Sequence, residues 1–149
     1  MEKTISREAA FRALFQLDFV SCEKDELEFY VDLATTNALS EEEFPEVEKL
    51  DKRYIVRIKA LIKGTLNNLN KIDELITAYL KKGWSFSRLA TTDKNILRLA
   101  VYEMRFDEKH LDAPIVINEA VELAKKYGED KSKNFVNGIL ASVVKEIED

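Results

Sequence analysis

The chain contains few of the residues that build most active sites. Among its 149 residues are one cysteine, one histidine, two prolines and four glycines. Cys22 has no second cysteine with which to form an internal disulfide, which is typical of a protein from a reducing compartment. The scattered glycines form neither a Walker-type loop nor a G-x-G-x-x-G turn, and His, Cys and carboxylate residues do not cluster at metal-ligand spacing. The sequence therefore predicts neither a metal site nor a cofactor.

Catalytic residues are equally scarce. A serine or cysteine nucleophile needs a base, and the single histidine, His110, lies in a predicted loop where a solvated side chain is its usual role. The 28 acidic residues are spread over helical faces, where carboxylates usually serve solvation rather than acid–base catalysis. We therefore predict a binding or scaffolding protein without catalytic residues. A hydrolase centred on His110 is the alternative, and it requires an activity that His110→Ala abolishes.

Long apolar runs are also missing. No run approaches the roughly 18 residues that a membrane-spanning helix needs, and the first residues lack a signal-peptide pattern. Hydrophobic residues make up 46% of the chain and charged residues 34%, a composition typical of a soluble globular protein. We expect a cytoplasmic protein that does not bind membranes.

Positive charge is scarce in one segment in particular. The net charge is −5, yet residues 21–51 alone carry −9, from eleven acidic and two basic residues. Residues 1–20 are neutral, and residues 52–149 carry +4. A polyanionic partner is therefore compatible with the acidic total, provided that it binds outside residues 21–51. Because long-range attraction is weak, RNA binding would need specific contacts or a helper protein.

Apolar residues recur with helical spacing along the whole chain, whereas strand-type alternation is missing. The clearest stripe runs from Tyr54 to Leu69, and others begin at Ala10, Leu27, Ile72, Ile96, Ile117 and Val136. We predict an all-α fold of about seven helices, arranged as two small helical bundles in one compact domain that covers residues 1–149. The longest irregular segment, residues 36–48, is predicted to be an acidic loop.

Polar residues and glycines predict where several helices begin and end. Thr92 is predicted to cap the fifth helix, and Asp112 to begin the sixth, which ends at Gly128. Ser132 is predicted to cap the seventh. Inside that last helix, Gly138 is about 1 kcal/mol less favourable than alanine, which predicts a close helix crossing that only glycine permits.

Three segments together resemble a known family. Residues 7–19 read REAAFRALFQLDF, residues 91–104 read TTDKNILRLAVYEM, and residues 114–140 read PIVINEAVELAKKYGEDKSKNFVNGIL. In this order they resemble the first helix, the central helix and the C-terminal signature of the NusB family of bacterial transcription antitermination factors. The resemblance covers most of the chain and leaves only the acidic segment, residues 36–48, unplaced.

The resemblance implies a function as well as a fold. NusB proteins are all-helical, with two three-helix bundles plus one further helix, and have no catalytic activity. They pair with NusE, a small-subunit ribosomal protein, and the pair binds boxA RNA in the nascent transcript. The complex joins RNA polymerase with other Nus factors and suppresses Rho-dependent termination, chiefly in ribosomal RNA operons. Family members occur as monomers or homodimers, and the residues of this chain do not decide between the two.

The resemblance also implies an RNA-binding surface. It draws on an N-terminal basic segment and on the segment that leads into the last helix, which in this chain correspond to Lys3, Arg7, Arg12, Lys131, Lys133 and Phe135. Phe135 lies off the apolar face of its predicted helix, so its ring, flanked by lysines, is suited to stacking on a base. Packing of Phe135 in the core is the alternative.

The NusE-binding residues that the resemblance implies lie on three helices. They are Phe15 on the first helix, Tyr79 at the end of the fourth and Asp93 at the start of the fifth. A carboxylate such as Asp93 suits a basic residue of the partner, although at a helix start it also stabilises the helix dipole.

Two regions depart from the family pattern. Many members begin with a run of arginines, where this chain has only Lys3 and Arg7, and each lost phosphate contact lowers both RNA affinity and its salt dependence. Near the last helix, Lys131 replaces an acidic residue of the family, and Asn134 replaces the lysine that often precedes Phe135. We therefore expect weak RNA binding by the chain alone and a strong reliance on NusE.

Two other functions fit parts of this pattern. A NusB-like domain also occurs at the N-terminus of a ribosomal RNA cytosine methyltransferase, but that enzyme needs a following α/β domain with a Gly-rich loop, which this sequence lacks. A helical protein–protein adaptor with little RNA binding of its own is compatible with the sparse N-terminal charge. If the chain is such an adaptor, changing Lys3 and Arg7 to alanine leaves RNA binding by the assembled complex unaltered.

Overall fold

The computed structural model describes residues 2–20, 24–39, 52–107, 109 and 111–148. These residues form seven α-helices, two short 3-10 helices and no strand. The α-helices are α1 (Glu2–Leu17), α2 (Leu27–Ala38), α3 (Lys52–Asn67), α4 (Leu69–Ala78), α5 (Thr91–Arg105), α6 (Ala113–Tyr127) and α7 (Ser132–Glu148). The predicted all-α fold class is confirmed. Within the described ranges, no helix is both long and apolar enough to cross a membrane.

The chain divides into two compact units, Met1–Lys63 and Gly64–Asp149. In the first unit α1 packs against α2, and both helices bury small or apolar side chains such as Ala13 and Val31. Two surface ion pairs join α2 to α3, from Lys59 to Asp32 at 2.7 Å and from Lys63 to Glu28 at 2.8 Å. The reversed order of these pairs shows that α2 and α3 run antiparallel. Because the pairs are exposed, each contributes only about 0–1 kcal/mol.

The second unit is built around α5, which packs against α4, α6 and α7. Residues 95–101 of α5 are all buried, as expected for a helix with neighbours on several sides. On α7 the predicted apolar face is confirmed, since Val136, Leu140 and Val143 are fully buried. This unit therefore fixes the start of α5 and the start of α7 on one rigid core.

Three helix boundaries differ from those predicted. α2 continues through Ala38, so the first residues of the predicted loop 36–48 are helical, and the hydroxyl of Thr36 donates to the backbone of Asp32 at 3.0 Å. Residues 40–48 of that loop lie outside the described residues. α5 begins at Thr91 rather than after Thr92, because helical bonding already starts at the Ala90 carbonyl, which accepts from Lys94 at 2.9 Å.

The turn between α6 and α7 explains the third difference. Ser132 is the first residue of α7, and its hydroxyl accepts a hydrogen bond from the Glu129 amide at 3.1 Å, so it closes the preceding turn instead of capping the helix. α6 itself follows the prediction, with Asp112 at its N-cap and Gly128 at its C-cap. A Cβ at Gly128 would lie 2.6 Å from the Ser132 side chain, so glycine is required there.

Candidate partner and nucleic-acid interface

A cavity of about 720 Å³ lies within the second unit. Its lining comes from the end of α4, the connection to α5, the first turn of α5 and the start of α7. Four residues that were predicted to bind NusE or RNA line it together: Tyr79, Asp93, Lys131 and Phe135. We call it the Asp93 cavity. It places two of the predicted NusE-binding residues beside two of the predicted RNA-binding residues.

Asp93 supplies a hydrogen-bond acceptor to this cavity. Its Oδ1 is buried and has no hydrogen-bond partner among the described residues. Burial raises the pKa of the Asp93 carboxyl above the ordinary 3.8; the Ser132 hydrogen bond lowers this pKa, and the nearby charge of Glu129 raises it. A buried acceptor without a donor is costly, so a donor on a binding partner would be stabilising here.

The segment that leads into α7 presents its charges to solvent. Lys131 and Lys133 are exposed, and the side chain of Phe135 is half-buried and lines the cavity. The next residue, Val136, is fully buried in the core. Phe135 is therefore not a core residue in the way Val136 is, and together with Lys131 it lines the cavity.

Trp84 and Arg88 are among the cavity residues that the sequence analysis did not single out. Trp84 is 59% exposed. It is the last residue of a turn, in which its amide donates to the Lys81 carbonyl at 3.0 Å. Gly83 has a φ of 92° at the third position of this turn, a conformation that favours glycine. Arg88 also lines the cavity. The Gly-Trp pair after two lysines was the available signal, because glycine is favoured at a turn position that needs a positive φ.

Gly138 also lines the cavity, and the prediction made for it was wrong. A Cβ built on Gly138 meets no atom within 4 Å. No helix crosses closely at this point, because the space beside Gly138 is the cavity itself.

The N-terminal residues predicted to bind RNA differ in accessibility. Arg7 is only 4% exposed, because it lies on the buried stripe of α1 that continues through Ala10 and Leu14. Its side chain is buried in the described structure, and RNA binding by Arg7 stays a prediction. Arg12 is half-buried, and the side chain of Lys3 lies outside the described residues.

Phe15, the remaining predicted partner residue, belongs to a row of aromatic rings that begins on α1 and ends just after that helix. Its ring centroid lies 6.4 Å from that of Phe11 and 5.3 Å from that of Phe19. Phe11 is buried, Phe15 is half-buried and Phe19 is 69% exposed. The row thus leads from the core of the first unit to an apolar surface.

Metal-binding geometry is not found in the described ranges. No group of three or more His, Cys, Asp or Glu residues there could hold an ion. Cys22 and His110 lie outside the described residues, so the alternative of a hydrolase centred on His110 has no geometry to assess.

Comparison with known proteins decides the family. Residues 4–145 match the model of the NusB family. This chain belongs to the NusB family. The transcription antitermination protein NusB of Carboxydothermus hydrogenoformans is 40% identical over 149 residues, which cover 100% of this chain and 96% of that protein. The protein of the same name from Bacillus subtilis is 37% identical over 150 residues, covering 99% and 98%. The family resemblance of the three sequence segments is thus confirmed.

Solved structures of the family share the fold. NusB of Thermotoga maritima superposes with a TM-score of 0.78 at 38% identity, covering 97% of this chain and 91% of that chain. A NusB chain crystallised with NusE and double-stranded RNA gives a TM-score of 0.75 at 25% identity, covering 97% of both chains. That NusB protein therefore combines a protein partner with RNA on the same helical scaffold.

Proposed function

We propose that this chain is a transcription antitermination factor that pairs with NusE and, as that pair, binds boxA RNA in nascent transcripts. Together with RNA polymerase and other Nus factors, it would suppress Rho-dependent termination in ribosomal RNA operons. The proposal follows the family, and the Asp93 cavity is the observation of this chain that carries it. There, residues expected to bind NusE and residues expected to bind RNA line one surface.

NusE contacts are supported by the chemistry of the cavity. The unpartnered Oδ1 of Asp93 accepts a hydrogen bond, and a lysine or arginine of the partner donates one with favourable charge. Tyr79 and Trp84 offer aromatic surface beside it, which suits the long stem and flat head group of an arginine. On the first unit, Phe15 and the exposed Phe19 offer an apolar contact for the same partner.

RNA contacts are supported by Lys131, Lys133 and Phe135. Ammonium groups neutralise phosphates, and an accessible aromatic ring stacks on an unpaired base. Lys3 and Arg12 extend this set on the first unit, whereas we leave out Arg7 because it is buried. With so few cations, RNA binding by the chain alone is weak, and NusE supplies the remaining surface.

Binding rather than catalysis is the proposed role. The relatives are antitermination proteins, and the acceptor, aromatic rings and cations of the Asp93 cavity suit recognition of a partner. The proposed place of action is the cytoplasm, where bacterial transcription takes place.

Titration of fluorescent boxA RNA, with a scrambled RNA as control, tests the proposal. The chain is measured with and without its cognate NusE at two salt concentrations. Tight and sequence-selective binding that requires NusE is the expected result. If NusE binds but neither RNA is preferred, the chain is a protein–protein adaptor, and if NusE does not bind, the proposed function is wrong.

A further inference from the structure

Helices α2 and α3 of the first unit leave apolar side chains exposed to solvent. On α2, Phe29 is 65% and Leu33 is 46% exposed, whereas Val31 on the opposite side of the helix is fully buried. On α3, Val56 is 68% and Ile55 is 38% exposed. Single exposed apolar residues are ordinary on a protein surface, but a patch built from several of them is typical of a protein–protein contact.

Two ion pairs fix how these helices lie side by side. Glu28 and Asp32 of α2 bind Lys63 and Lys59 of α3, respectively. The residue numbers rise along one helix as they fall along the other, so the helices are antiparallel and the pairs set their register. All four side chains are partly or largely exposed, so the groove between the two helices faces solvent.

The same register brings the exposed apolar residues onto one surface. Leu33 directly follows Asp32, so it lies about 100° further around α2, on the side away from the buried stripe. Val56 lies about one turn before Lys59 and is exposed on the same side of the helix pair. With a rise of about 1.5 Å per residue, Leu33 and Val56 differ by only about 3 Å in height along the helix axes. We call this surface the α2–α3 face; its apolar members are Phe29, Leu33, Val56 and Ala60.

The two helices carry opposite charge. The charged residues of α2 are the acids Glu28 and Asp32, and α2 contains no basic residue. In contrast, α3 contains no acidic residue. Its basic residues are Lys52, Arg53, Arg57, Lys59 and Lys63. The α2–α3 face is therefore complementary to itself, because a half-turn about the groove places an acidic helix over a basic helix and apolar residues over apolar residues.

We infer that a second copy of this chain docks on the α2–α3 face and forms a symmetric dimer. The two-fold axis runs along the groove, parallel to the helices, so α2 of each copy packs antiparallel on α3 of the other. Rotation about this axis preserves height, so Leu33 of one copy lies opposite Val56 of the other, and Phe29 lies opposite Ala60. A two-fold axis perpendicular to the helices would instead place α2 on α2 and α3 on α3, where like charges repel.

The dimer is expected to be weak. α2 has 12 residues and is therefore about 18 Å long, which gives a smaller contact than the roughly 800 Å² per partner of a standard stable interface. Dimerisation should therefore depend on concentration, with the monomer prevailing in dilute solution. The inference is independent of the proposed function, because neither NusE nor RNA takes part in this contact.

Sedimentation equilibrium of the full chain over a wide range of concentrations tests the inference. We expect a reversible equilibrium between monomer and dimer. Val56→Glu places a charge in the apolar contact twice per dimer, so it should weaken dimerisation by at least about tenfold. Ile115→Glu is the matched control, because Ile115 is also exposed, at 52%, but belongs to the second unit; it should leave the equilibrium unchanged. A chain that stays monomeric at every concentration, or equal weakening by both variants, overturns the inference.

Charge reversal tests the arrangement of the helices. Asp32→Lys and Lys59→Glu each place like charges opposite one another in a dimer of identical copies, so each variant alone should dimerise at least about tenfold more weakly. The ion pair that they break is exposed, so both variants should keep the fold, which circular dichroism checks. In an equimolar mixture the new lysine of one variant lies opposite the new glutamate of the other, so dimerisation should return. If either variant alone dimerises as well as the unaltered chain, or if the mixture stays monomeric, the inferred arrangement is wrong.

Discussion

Arg98 on α5 and Asp73 on α4 form a two-point ion pair, in which Nε donates to Oδ1 and Nη2 donates to Oδ2, both at 2.9 Å. The guanidinium also lies 5.1 Å from the ring centroid of Phe86, and Arg98 is buried. The pair fixes α4 against α5. It therefore holds Tyr79, which follows α4, near Asp93, which opens α5.

Replacing Asp73 by asparagine removes the charge that Arg98 requires. Because hydrogen bonds to charged groups contribute about 1.5–3 kcal/mol, we expect the free energy of unfolding to fall by about 2–3 kcal/mol. Urea denaturation measures this change. The neighbouring Glu74 is exposed, so Glu74→Gln serves as control and should stay within about 0.5 kcal/mol. Equal effects for the two variants would contradict the assigned role of the pair.

Replacing Gly138 or Gly64 by alanine is expected to change the free energy of unfolding in opposite directions. A methyl group at Gly138 meets no atom within 4 Å, so Gly138→Ala should raise the free energy of unfolding by about 0.5–1 kcal/mol through helix propensity. At Gly64 a methyl group would overlap the ring of Tyr102, and Gly64→Ala should be destabilising by about 1–2 kcal/mol.

Gly138→Ala also tests whether the cavity is used. The added methyl group enters the space beside Phe135, so the affinity for NusE or for boxA RNA should decrease although the protein becomes more stable. Isothermal titration of both ligands measures this. Unchanged affinities for both would show that this side of the cavity is not part of the interface.

Asp93 should oppose folding at neutral pH. Burial raises its pKa in the folded state above the unfolded value of 3.8, so the ionised form is disfavoured on folding. This penalty is complete above the folded-state pKa and disappears as the pH falls through that pKa toward 3.8. Asp93→Asn removes the penalty, so the stability of this variant relative to the unaltered chain should increase with pH across that window. Ser132→Ala should widen the window, because the hydrogen bond that lowers the pKa is lost. A pH-independent difference would contradict the burial of the charge.

Lys131 should contribute to RNA binding through a direct phosphate contact. Lys131→Glu is expected to lower the boxA affinity of the complex with NusE by about tenfold. It should also make the slope of log affinity against log salt concentration shallower by roughly 0.7. Lys145→Glu, at the far end of the same helix, changes the net charge equally and is also exposed. If both variants lose the same affinity, only the overall charge matters, and Lys131 is not a contact residue.

The sequence predicted the helices better than it predicted their exposed faces. Asp112 and Gly128 bound α6 as expected, because capping and termination depend on residues close in the chain. Arg7 was expected to bind RNA because of the family resemblance, yet its spacing from Ala10 and Leu14 places it on the buried stripe. At Gly138 the structure has open space in place of the predicted close crossing, and only tertiary structure distinguishes the two.

The local sequence pattern could not predict that NusE-binding and RNA-binding residues would line the same cavity. Tyr79 follows α4, Asp93 lies on α5 and Phe135 lies on α7. Their common cavity depends on how these three helices pack. Trp84 was missed because it lies outside any apolar stripe, in a turn whose geometry depends on Gly83. Ser132 was misassigned as a cap because the partner of its hydroxyl, the Glu129 amide, lies before α7.

The most direct test of the central claim uses Trp84, which is the single tryptophan of the chain and lines the Asp93 cavity. The chain is labelled with fluorotryptophan, and its fluorine NMR signal is recorded alone, with NusE, and with NusE plus boxA RNA. If the partner and RNA surfaces meet at this cavity, NusE shifts the signal and boxA RNA shifts it again, whereas scrambled RNA does not. A signal that stays unchanged while both ligands bind would place the interface elsewhere and contradict the account.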